Sequence, residues 1–121
     1  NTLVDIHEFV YDDGYHSPWH MVKSPNSEEI YVTLGSGSVA CLEYNEGSGN
    51  LSQKWVSSDS GFGTLHGIAV SPDGSYLYVS SRSNGSVHKI NASNGELVYS
   101  KNGLAEAGMM GALTGIAIVQ E

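Results

Sequence analysis

The chain has 121 residues and a mass of 12.9 kDa, enough for one small hydrophobic core. Apolar residues at 40% and charged residues at 15% exclude a charge-rich disordered chain, and no apolar run reaches the length of a membrane-spanning helix. Five Lys and Arg against thirteen Asp and Glu leave a net charge of −8, a field that repels phosphate backbones and argues against a nucleic-acid partner.

Along the chain, short β-branched and aromatic runs alternate with turn chemistry. Thr2 to Val10 reads as an alternating strand, Asn1 running directly into it as it would after a cleaved leader or with none, and Pro18 to Thr33 holds two strands about a Ser-Pro-Asn-Ser turn. SVACLEY, with the single cysteine Cys41 as a buried spectator thiol, and NLSQKW follow as the next two strands. LHGIAV, the turn Ser71-Pro72-Asp73-Gly74, YLYVSS, a turn at Ser83-Asn84-Gly85, SVHKI, the turn Asn91 to Gly95 and ELVYS complete a second set of four. Pro presets φ and Gly supplies positive φ in such hairpins. LAEAGMMGAL at 104–113 has helical composition, but its two glycines favour a loop or a single turn.

The runs repeat. Pro18–Thr33 lies over Leu65–Ser80 at an offset of 47, with Ser24-Pro25 on Ser71-Pro72 and Tyr31-Val32 on Tyr78-Val79. Gly37-Ser38-Val39 matches Gly85-Ser86-Val87 at 48, and Gly111–Val119 lies over Gly63–Ser71, also at 48. Four antiparallel strands in about 45 residues, without helical periodicity, have the dimensions of one propeller blade. The expected fold is therefore all-β: a β-propeller of four-stranded antiparallel blades, with two complete blades plus flanking strands of two neighbours. Residues 1–15 hold the outer strand of a preceding blade, 16–62 and 63–110 the complete blades, and 111–121 the inner strand of a following or ring-closing blade. Since a ring takes about four to eight blades, other blades of the same protein or companion chains must complete it.

HGIAVSPDGSYLYVSS at 66–81 and NGSVHKINASNGELV at 84–98 resemble the YVTN-type β-propeller repeat, and WHMVKSPNSEEIYVT with GSVACLEY fits the same frame. The resemblance covers nearly the whole chain. It implies a propeller, usually of seven blades, in an exported protein of the periplasm, cell surface or exterior. This repeat class spans surface-layer and binding proteins, lactonase-like enzymes and the propeller domain of nitrous oxide reductase, so it leaves function open.

Histidines carry the first candidate site. His16, His20 and His66 lie at or just before the starts of innermost strands, where a channel mouth gathers ligands, and imidazole suits copper or another transition metal. By the Ser-Pro register His66 aligns with Trp19 and Thr114, so no ring of identical ligands arises; Trp19, His20, His66 and Thr114 form the candidate ligand-binding set at the channel mouth. Trp19, after Pro18, is placed to stack on a ligand. His7 and His88 fall on outer strands as packed or solvated residues. Asp12, Asp13, Glu28, Glu29 and Asp59 sit in or beside turns as caps or solvated carboxylates, without calcium-loop spacing.

No catalytic motif occurs, and none of the candidate residues is assigned a catalytic role. Sequons at Asn50, Asn84 and Asn91 fall in turns whose composition produces that pattern by chance. Two functions follow. One is a non-catalytic binding or scaffold propeller of the cell envelope or exterior, engaging a protein or small ligand and needing no cofactor. The other is the propeller portion of a metal-dependent, copper-type redox or hydrolytic enzyme with its site at the central channel.

Overall fold

The computed structural model describes residues 18–35, 37–81 and 85–101. These form two four-stranded antiparallel sheets, each a simple meander. The first comprises β1 (Pro18–Lys23), β2 (Glu29–Leu34), β3 (Ser38–Asn45) and β4 (Asn50–Ser58). The second comprises β5 (Leu65–Val70), β6 (Tyr76–Ser81), β7 (Ser86–Asn91) and β8 (Leu97–Lys101). The expected strands 1–15 and 111–121 lie outside the described residues. Among the described residues, no helix is long and apolar enough to cross a membrane.

The turns close as their residues dictate. In the β5–β6 turn Asp73 Oδ1 accepts the Ser75 amide at 3.0 Å and the Ser71 hydroxyl at 2.8 Å, and the Gly74 amide donates to the Ser71 carbonyl at 2.8 Å. In the β7–β8 turn the Gly95 amide donates to the Asn91 carbonyl at 2.8 Å, with Gly95 at φ +80°. Both sheets carry a register irregularity at the same repeat position, between Cys41 and Leu42 in the first and between Lys89 and Ile90 in the second. Such bulges sharpen the twist of the outer strand pair.

From Tyr31 to Leu34, β2 is buried on both faces, which suits its mostly apolar sequence. Tyr31 is paired with Cys41 and Thr33 with Val39 on one face, which meets the second sheet. Tyr31, Val39 and Cys41 pack there with Phe62, Leu65, Ile68, Leu77, Val79, Ile90 and Ala92 in one cluster, flanked by Val22, Trp55 and Val70. Val32, Leu34, Ala40 and Leu42 are buried on the opposite face. The sheets touch chiefly through β1, β2 and β5. The bulky Trp55 bridges the outer side, so the pair forms a wedge with its thin edge at β1 and β5. A wedge of this kind is how blades pack around an axis.

Candidate functional site

The thin edge of the wedge carries the aromatic candidates. At the sheet end shared by the β2–β3 turn and the β4–β5 connection, Trp19 of β1 lies against His66 of β5, ring centroids 4.4 Å apart and planes 31° apart. His20 meets the same imidazole edge-on at 5.9 Å. Trp19 is 48% exposed, so much of the indole faces solvent beside the imidazole pair. The backbone beneath is fixed by Thr33, whose Oγ1 accepts the His20 amide at 3.2 Å and donates across the blades to the His66 carbonyl at 2.8 Å. The repeat-equivalent Ser80 Oγ accepts the Gly67 amide at 3.1 Å, so the same device recurs in the second blade.

Three of the expected residues are thus brought together: Trp19, His20 and His66. His16 and Thr114 lie outside the described residues. Among the described residues no group of three or more His, Cys, Asp and Glu side chains is arranged to hold a metal ion. The indole offers a flat apolar face for stacking and the exposed His20 imidazole offers ring nitrogens for hydrogen bonding, while both His66 ring nitrogens are buried.

At the opposite sheet end, a polar cluster was not evident from the turn-like setting of Glu29. Glu29 opens β2, its side chain only 15% exposed, and its carboxylate takes four donors. Oε1 accepts the Ser27 hydroxyl at 2.9 Å and the Tyr31 hydroxyl at 3.4 Å. Oε2 takes the Lys54 ammonium and lies 3.8 Å from the Cys41 thiol. Burial acts to raise the Glu29 pKa, but hydrogen bonds from Lys54, Ser27 and Tyr31 together with the Lys54 charge outweigh it and hold the carboxyl below its ordinary value. Burial, reinforced by the Glu29 charge, pushes both the Tyr31 phenol and the Cys41 thiol up to about 12.

His88 is packed, one of the two environments expected for it. It sits on β7, the third strand, and is fully buried, with Nε2 2.9 Å from Ser86 Oγ and Nδ1 2.7 Å from Ser100 Oγ. Its ring packs on Phe62 at 4.9 Å, and burial lowers its pKa despite the distant pull of Asp59.

Residues 1–107 match the protein family described as lactonase, 7-bladed β-propeller. The chain belongs to that family. Among solved structures, a structural-genomics target from Lactobacillus plantarum is similar at 26% identity and a TM-score of 0.51, over 74% of this chain and 32% of that one. The chain therefore spans about a third of that protein's length. No curated protein matches the sequence significantly. As part of a seven-bladed lactonase-family propeller, β1–β4 and β5–β8 are two blades of a ring that further blades must complete. The β1–β5 edge is where the two blades meet, with the Trp19–His66 contact at one of its ends.

Proposed function

We propose that the protein is a small-ligand-binding propeller that receives its ligand at the mouth of the central channel, over Trp19, His20 and His66. The observation that carries this reading is the 4.4 Å contact between Trp19 and His66 across two successive blades. A platform assembled from neighbouring blades at a channel mouth is where propellers of many chemistries place their ligands. The YVTN-like repeat supports an exported protein of the cell envelope or exterior, in which the ring presents its turns outward.

Hydrolysis of a lactone is the second reading, and the family description favours it. An exposed imidazole such as His20 is suited to take a proton from water attacking an ester carbonyl. A third reading places copper among His16, His20 and His66, with two of those imidazoles already 5.9 Å apart.

One set of preparations separates the three. Native mass spectrometry of the full-length protein purified from its source is expected to show a bound small molecule that is lost in Trp19→Ala and in His66→Ala. An equal load on wild type and both variants would overturn the binding site. Ring opening of γ-butyrolactone or δ-valerolactone above the spontaneous rate, abolished by His20→Ala, would establish the lactonase reading instead. Stoichiometric copper, lost in His20→Ala, would establish the third.

A further inference from the structure

The sheet end opposite the aromatic cluster holds a groove of about 430 Å³ between the two blades. Its walls come from the β1–β2 turn of one blade and the β5–β6 and β7–β8 turns of the next. That volume falls toward the lower end of the range for small-molecule sites, about 300–1,000 Å³, yet the lining is polar where such sites are usually apolar.

The lining chemistry selects the ligand. Glu29 forms part of the wall, but its two oxygens are already engaged by Ser27, Tyr31, Cys41 and Lys54. Lys54 compensates its charge, so a cation finds no unpaired anion there, and the carboxylate together with the overall charge of −8 disfavours an anion. What remains is neutral and both accepts and donates. The Ser27 and Ser93 hydroxyls spend their protons on Glu29 Oε1 and Asn91 Oδ1, at 2.9 and 2.7 Å, which leaves oxygen lone pairs for a ligand. Asn91, its Oδ1 held by Ser93, keeps amide donors.

The turns that form the groove are also joined to each other, so it does not depend on loop closure. Asn26 Nδ2 donates to the Asp73 carbonyl at 2.6 Å across the blades, and the Ala92 amide donates to the Ser75 carbonyl at 3.0 Å. A rigid, neutral, hydroxyl-rich cleft complements a molecule whose own groups each donate and accept.

We propose that this inter-blade groove binds a neutral polyhydroxylated ligand, a hexose unit either free or at the end of a glycan. The site is separate from the channel mouth and does not rest on the function proposed there.

The test is saturation-transfer NMR on the full-length protein with D-glucose, D-galactose, D-mannose, N-acetylglucosamine and maltose. Each sugar is supplied at about 10 mM, tenfold above a dissociation constant of about 1 mM. At least one sugar is expected to show transfer, weakened about tenfold in affinity by Ser93→Leu and by Ser75→Tyr, two exposed turn positions, with the circular dichroism of both variants unchanged. Maltose binding more tightly than glucose would assign the glycan end, and equal binding the free sugar. Absence of transfer from every sugar would overturn the proposal. So would transfer that survives both groove variants but is lost in Trp19→Ala.

Discussion

Trp55 of one blade and Gly95 of the next occupy one space. The Trp55 indole donates from Nε1 to the Ala92 carbonyl at 3.2 Å, and a Cβ on Gly95 would stand 2.6 Å from Trp55 Cε3. Gly95 is at φ +80°, where a side chain is strained even without the indole. Gly95→Ala is expected to cost about 2 kcal/mol from backbone strain and overpacking together. In a Trp55→Ala background the same substitution should cost less, because the steric part is gone. Urea unfolding of the four proteins of the cycle measures the coupling; equal costs in both backgrounds would show that the contact is absent.

Thr33 connects the inner strands of the two blades, and its isosteric replacement by Val removes only the hydroxyl. Two backbone groups, the His20 amide and the His66 carbonyl, then lose their partner. The expected loss is about 1–3 kcal/mol, since Thr33 is wholly buried and water does not readily take its place. Amide hydrogen exchange at His20 should accelerate in Thr33→Val more than exchange in β3.

Acid should destabilise the fold in two stages. His88 has a lowered pKa in the folded chain, so between the ordinary value of 6.5 and that lower value the unfolded chain binds more protons. Stability is fully present above 6.5 and falls as the pH drops through this window. Glu29 acts in the same direction further down, its contribution present above 4.5 and lost as the pH falls through its lowered folded value. Chemical denaturation as a function of pH should show the upper stage disappear in His88→Gln while the lower one persists.

Cys41 should resist modification until the chain unfolds. Its thiol is buried, and its pKa is pushed up to about 12 by burial first and the Glu29 charge second, so almost no thiolate exists at neutral pH. Alkylation by iodoacetamide at pH 7.5 should follow the unfolding transition in urea. Rapid labelling of the native protein would contradict the packing around Glu29.

The strands and turns were legible because local chemistry writes them. Ser71-Pro72-Asp73-Gly74 and the Asn91 to Gly95 turn fix hairpins, and the offset of 47 to 48 residues exposes two copies of one blade. The Trp19–His66 contact was legible by the same arithmetic: residues at equivalent positions of successive blades face one another. The Glu29 cluster was hidden. Two of its donors come from Cys41 and Lys54, 12 and 25 positions away, and no local pattern announces them. His88 was likewise read by its strand and not by its partners, since only pairing β7 with β8 brings Ser100 to its ring.

The most direct measurement is a crystal structure of the full-length protein. The account predicts a closed ring with β1 and β5 as innermost strands and with Trp19, His20 and His66 together at one mouth of the central channel. A ring with β4 and β8 at its axis, or one that seals Trp19 and His66 beneath another blade, would contradict it.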